Sequence, residues 1–120
     1  MKFLALIYSN PETQAAANNT PEKQQAYIAG YWALEEAYGA KKLAAEALTP
    51  VDTARCVRVR DGKPMYSDGP FAETKEQLGG FYLLDCADID EALGLAALIP
   101  TAAHGTVEVR PIMDWSKENG

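Results

Sequence analysis

The residue types best suited to chemistry stand together in Asp68-Gly69-Pro70-Phe71-Ala72-Glu73-Thr74-Lys75-Glu76-Gln77-Leu78-Gly79-Gly80. Acids and a lysine fall here between two strand-like segments, among glycine and proline residues that restrict the backbone. Loops held in this way often carry function. Neighbouring carboxylates raise each other's pKa and an adjacent ammonium lowers it, which is how acid–base pairs are tuned. On this reading Asp68 or Glu73 is a general base, and Lys75 orients or polarises a substrate. The plainer reading is a solvated charged turn whose glycines serve a β-bulge, and spacing alone favours it.

Other candidates are weaker. His104, the sole histidine, lies in Thr101-Ala102-Ala103-His104-Gly105; its type suits proton transfer near neutral pH, but a lone loop histidine is more often a bystander. Cys56 and Cys86 have neither a Cys-x-x-Cys partner nor a histidine at ligand spacing. Buried, inert thiols are therefore expected, with no metal site. Gly79-Gly80 lacks the remaining glycines and the following helix of a phosphate loop, and no serine sits in a nucleophile elbow. Nothing here calls for a cofactor.

The positioning elements follow from periodicity. Lys2–Tyr8 reads as a strand and the polar Asn10–Asn19 as a loop. Thr20-Pro21 opens a helix that runs to Tyr38 and stops at Gly39. Tyr27, Tyr31, Leu34 and Tyr38 form a narrow stripe on that helix, with Ile28 and Trp32 at its shoulder. Such a stripe reads either as an aromatic ligand box or as a face packed on a sheet, and the ordinary spacing favours packing. Leu43–Leu48 is a second strand. Arg55–Arg60 and Lys63–Ser67 flank Asp61-Gly62 as a hairpin. Leu78–Asp85 is a strand, Asp88 caps a second helix with Glu91 in a box-like pairing, and Thr106–Arg110 is the last strand.

This order is a ferredoxin-like βαββαβ with an inserted β-hairpin, an α+β fold with an antiparallel sheet and its helices on one face. The domain spans 1–113, with a polar tail from 114 to 120. Phe3, Ala5 and Ile7 alternate with Leu4, Leu6 and Tyr8, and Phe81 and Leu83 alternate with Tyr82 and Leu84, so two strands are apolar on both faces. Helices on one side leave the other face to be covered, and a second copy is the natural cover. A homodimer with sheets face to face is expected.

Composition bounds the rest. A chain of 120 residues, 48% hydrophobic and 23% charged, supports one folded domain and excludes bulk disorder. A net charge of −6 argues against nucleic acid and anionic membranes as partners. The apolar run Phe3–Tyr8 is too short for a secretion signal or a membrane span, so a cytoplasmic location is expected.

Asp68-Gly69-Pro70-Phe71-Ala72-Glu73-Thr74-Lys75-Glu76-Gln77-Leu78-Gly79-Gly80-Phe81-Tyr82 closely resembles the signature of DGPF-domain proteins of the YCII-related family. Phe3–Tyr8, Glu46-Ala47-Leu48, Val57–Gly62 and Val107–Pro111 resemble its framing segments, so the likeness spans about residues 1–113. The resemblance implies a ferredoxin-like fold that dimerises into an α+β barrel. It further implies a cleft between sheet and partner, near Asp68, Phe71, Glu73 and Lys75. Some members are linked to small-molecule lyase chemistry such as dehydrochlorination, and others to a His–Asp pair with the histidine on the first helix. Pro21–Tyr38 contains no histidine, so that pair does not carry over. DGPF proteins are also linked to genes for extracytoplasmic sigma factors.

Two functions follow. One is a small-molecule-binding protein acting as a cofactor-independent lyase- or isomerase-type enzyme, with Asp68, Glu73 and Lys75 catalytic and Tyr8, Glu46, Phe71 and Arg110 lining the cavity. The alternative is a non-catalytic metabolite-sensing or accessory module that contacts a regulatory protein.

Overall fold

Alternation along the two central strands decides the architecture. In the computed structural model, which describes residues 1–118, the elements are β1 (Lys2–Ser9), α1 (Pro11–Ala17), α2 (Pro21–Tyr38), β2 (Lys42–Ala47), β3 (Arg55–Arg60), β4 (Lys63–Asp68), β5 (Gln77–Asp85), α3 (Ile89–Ala96), β6 (Thr106–Pro111) and α4 (Trp115–Glu118). The final two positions of the expected polar tail lie outside the described residues.

One antiparallel sheet runs β2-β5-β1-β6, the ferredoxin-like order, and β3-β4 forms a separate two-stranded sheet. Phe3, Ala5 and Ile7 of β1 and Tyr82 and Leu84 of β5 are buried together with Leu34 and Tyr38 of α2 and Ala92 and Ala96 of α3. Each large side chain hidden this way stabilises the fold by about 1.5–3 kcal/mol. The helices therefore share one face. On the other face the register pairs Leu4 with Leu83 and Arg110, Leu6 with Phe81 and Glu108, and Tyr8 with Leu78 and Thr106. Leu4, Leu6, Tyr8, Phe81 and Leu83 are only half-buried there.

Local signals act as written at most junctions. Thr20 Oγ1 accepts from Lys23 N at 3.1 Å and Asp88 Oδ1 from Glu91 N at 2.8 Å, capping α2 and α3. Asp61 and Gly62 both take positive φ, at 51° and 75°, as a tight two-residue hairpin turn requires. One segment differs from its expected loop. Within Asn10–Asn19, Asn10 Oδ1 accepts from Glu12 N at 2.9 Å, Pro11 takes the first helical position, and Thr13–Ala17 continues as α1. A polar, proline-bearing stretch reads as a loop until the cap and the alanine run are weighed together.

The Gly79-Gly80 pair serves the sheet. Ile7 pairs with Gly80 but Tyr8 pairs with Leu78, which leaves Gly79 as the extra residue of a bulge. A Cβ on Gly80 would sit 2.8 Å from the carbonyl oxygen of Glu46, so glycine is what lets β2 pass this close.

The radius of gyration is 16.9 Å, against about 14 Å for a compact chain of this length. In the β3-β4 arm Val57, Val59, Met65 and Tyr66 are all more than half exposed. The molecule is only 17 Å along its shortest axis.

Candidate functional site

Two close approaches build a cavity on the helical side of the sheet. At Gly30 of α2, a Cβ would lie 2.9 Å from Pro100 Cγ, so the helix presses on the turn that follows α3. At Gly105, a Cβ would overlap the carbonyl oxygen of Tyr8, so the same turn packs against the end of β1. The turn, a short 3-10 segment at Pro100–Ala103, is thereby clamped between α2 and the sheet. Tyr27 and Tyr31, one helical turn apart, both reach Thr101 on it.

The cavity that results has a volume of about 750 Å³. Ile7, Ala45, Leu48, Val51 and Tyr82 supply apolar wall, and Tyr27, Tyr31, Thr101 and Gln14 supply the polar end. Thr101 is only 3% exposed. Its Oγ1 lies 2.5 Å from Tyr27 Oη and 2.8 Å from Tyr31 Oη, and the two rings meet edge to face with centroids 5.2 Å apart. Burial pushes the Tyr31 phenol well above the ordinary tyrosine range; the bond to Thr101 opposes that and the neighbouring Tyr27 hydroxyl adds to it. Tyr31 is therefore a neutral hydroxyl at any physiological pH, a donor and acceptor but not a base.

His104 stands beside this group. Its Nε2 is hydrogen-bonded to Gln14 Oε1, which makes Nε2 the protonated nitrogen and ties α1 to the turn. Its ring centroid is 6.2 Å from that of Tyr27.

The residues singled out from the sequence are distributed over several surfaces. Glu46 lines the cavity, although the register pairs it with Phe81, on the opposite face from Ala45 and Tyr82. Tyr8 and Arg110 lie on the open face of the sheet, through their pairings with Leu78 and Leu4. Asp68 ends β4 and is paired with Arg55 Nε at 3.1 Å, both side chains being largely exposed. Phe71 is 80% exposed, and Glu73 and Lys75 are exposed beside it on the loop between β4 and β5. That loop enters β5 at Gln77, on the cavity rim. Cys86 is buried and Cys56 half-buried, both as free thiols; Cys56 Sγ donates to the Gly69 carbonyl at 3.3 Å. Among the described residues no cluster of three His, Cys, Asp or Glu could hold a metal ion, and no helix is long and apolar enough to cross a membrane.

The Tyr27–Tyr31 stripe divides. Leu34 and Tyr38 enter the core as a packed helix face does, whereas Tyr27 and Tyr31 border the cavity and Ile28 and Trp32 are exposed. Thr101 carried no signal of its own. Only the pairing of a mid-helix glycine with Pro100, seen in three dimensions, marks the turn as the place where the tyrosines converge.

A family model for the YCII-related domain matches residues 1–116. The chain belongs to the YCII-related domain family. An uncharacterised protein from Rhizobium meliloti (strain 1021) is 39% identical to it over 116 residues, covering 93% of this chain and 92% of that one. In architecture this YCII-related protein is similar to 5-chloro-2-hydroxyhydroquinone dehydrochlorinase from Burkholderia phenoliruptrix AC1100, solved in complex with 2,5-dihydroxybenzoquinone. The TM-score is 0.54, with 98% of each chain covered and 15% identity. At that identity the likeness concerns the fold.

Proposed function

We propose that this YCII-related protein binds a small molecule in the cavity between α2 and the ends of β1, β2 and β5, and acts on it as a lyase- or isomerase-type enzyme using its own acid–base groups. The observation that carries this reading is the buried Thr101 hydroxyl with two phenols converging on it at one end of a predominantly apolar cavity. A few polar groups placed in an apolar concavity of this size are what ligand sites have in common. The enzymatic nature of the structural neighbour supports the same direction.

In this reading the loop between β4 and β5 brings Asp68 or Glu73 as the base and Lys75 as the orienting cation, and Phe71 closes over the bound molecule. The protein works as a homodimer. The half-buried apolar face of Leu4, Leu6, Tyr8, Phe81 and Leu83 and the projecting β3-β4 arm both need cover, and a two-stranded hairpin alone is marginal in water. Tyr8, Glu46 and Arg110 then line the space enclosed by two copies.

A thermal-shift screen against small metabolites tests the binding step, since a ligand of the folded state raises its stability by mass action. Turnover of a hit should fall in Glu73→Gln or Asp68→Asn. Unchanged turnover in both removes the loop from the chemistry. A monomer mass in light scattering at micromolar concentration removes the dimer.

A further inference from the structure

We infer that the cavity takes an uncharged molecule with an apolar, ring-sized body and a carbonyl or amide edge seated on Tyr27, Tyr31 and Thr101, and that it discriminates against carboxylates. This rests on the cavity being a binding site, and it adds the chemical class that the lining selects.

Proton counting supplies the polar half. Three hydroxyls carry three protons, and two O···O contacts through Thr101 Oγ1 use two of them. Thr101 is buried and its side chain has no other hydrogen-bond partner among the described residues, so its own proton is spent on one of the phenols. The other phenol then donates to Thr101. The phenol that receives the Thr101 proton keeps its own, and it borders the cavity whichever of the two it is. The triad thus offers the cavity one O–H donor together with spare oxygen lone pairs. A carbonyl takes the donor, and an amide N–H takes a lone pair as well.

Charge supplies the other half. Among the described residues Glu46 is the sole ionisable acid or base in the lining apart from the tyrosines, and no Lys, Arg or His lines the cavity. A carboxylate drawn into this apolar space would leave water with no cation to meet it, which is costly. A neutral carbonyl leaves far less hydration behind and finds its donor in place.

A matched pair of probes tests this: 2-naphthamide and 2-naphthoate, similar in shape and differing in charge. Titration at neutral pH, followed by calorimetry and by ligand-observed NMR with contacts to the Ile7 and Val51 methyls locating the probe, should show the amide bound at least about tenfold tighter than the acid, a step of about 1.4 kcal/mol. In Tyr27→Phe/Tyr31→Phe the amide should weaken about tenfold while the preference over the acid narrows, because each lost hydrogen bond is worth about 1 kcal/mol. If the double variant fails to fold, the single Tyr→Phe variants are compared with Trp32→Phe, whose side chain is exposed and outside the lining; the tyrosine variants alone should weaken the amide. Naphthoate bound in the cavity as tightly as the amide overturns the neutral-ligand class and leaves the binding site standing. An amide preference undiminished without the phenols overturns the role of the triad. Neither probe binding at millimolar concentration counts against the binding site itself, and with it the class.

Discussion

Replacing Thr101 by valine keeps the shape of the side chain and removes the oxygen on which two phenols meet. The backbone role of the position survives, because the Thr101 carbonyl still accepts from His104 N at 3.2 Å and Gly105 N at 2.7 Å. What disappears are the contacts at 2.5 Å and 2.8 Å to Tyr27 and Tyr31. Each bond contributes about 1 kcal/mol, and leaving a buried partner unsatisfied costs more. Both phenols border a cavity that admits water, which returns part of the loss. The expected cost is therefore about 1.5–2.5 kcal/mol. For a chain of this length the unfolding entropy makes that roughly 6–10 °C in Tm. Urea denaturation of wild type, Thr101→Val, Tyr31→Phe and the double variant, at one fixed protein concentration, measures it. A coupling energy of about 0.5–1 kcal/mol should appear, since the Tyr31 hydroxyl loses much of its value once Thr101 is gone. A cost for Thr101→Val below about 0.5 kcal/mol, or strict additivity, would mean that the triad does not hold the turn to α2 and that the reasoning is wrong.

Three further outcomes are expected. Tyr38→Phe removes a 2.6 Å bond to the Leu95 carbonyl, where α3 ends, and should cost about 1–2 kcal/mol by chemical denaturation with no effect on ligand probes of the cavity. Burial raises the phenols of Tyr31, Tyr38 and Tyr82 above the ordinary value of 10.0, so folding favours their neutral forms. The stability they contribute is complete below that value and is lost as pH rises through the folded values. Ultraviolet titration should show those three of the six tyrosines ionising together with loss of circular dichroism, and a smooth rise with the fold intact would refute it. Gly105→Ala forces a methyl onto the Tyr8 carbonyl and should destabilise by about 1–3 kcal/mol. Gly94→Ala, which meets nothing within 4 Å in α3, should stabilise by about 0.5–1 kcal/mol, and equal effects in thermal melts would contradict the packing described at Gly105.

The legible part of this fold is the part set by neighbours in sequence. Period-two alternation separates Phe3, Ala5 and Ile7 from Leu4, Leu6 and Tyr8, and Tyr82 and Leu84 from Phe81 and Leu83, and apolar residues on both faces mark β1 and β5 as central; which faces coincide is set by the register. Asp61-Gly62 announced its hairpin and Thr20-Pro21 its helix, because caps and turns are local chemistry. α1 was hidden because a single proline outweighed a cap and an alanine run. The cavity was harder to read for a different reason. Tyr27 and Tyr31 are visible as a stripe, but stripe spacing is the same for a face that packs and a face that borders a hollow. That Thr101 completes their hydrogen bonds depends on Gly30 meeting Pro100, and no periodicity relates those positions. Conversely, the charged loop at 69–76 stands out in the sequence through its composition, while in the single chain it is a solvent-facing connection.

The hydroxyls that converge at the cavity are 70 and 74 positions apart along the chain, and Gln14 and His104 are 90 apart. The polar end of the site is therefore a joint between the first and last thirds of the polypeptide. It cannot exist on a nascent chain before the turn after α3 is made, nor on a fragment that lacks α2 or that turn. Occupancy would slow global opening while leaving the exposed β3-β4 arm as free to fray as before, so amide exchange along the chain would separate a true occupant of the cavity from one that merely touches the surface.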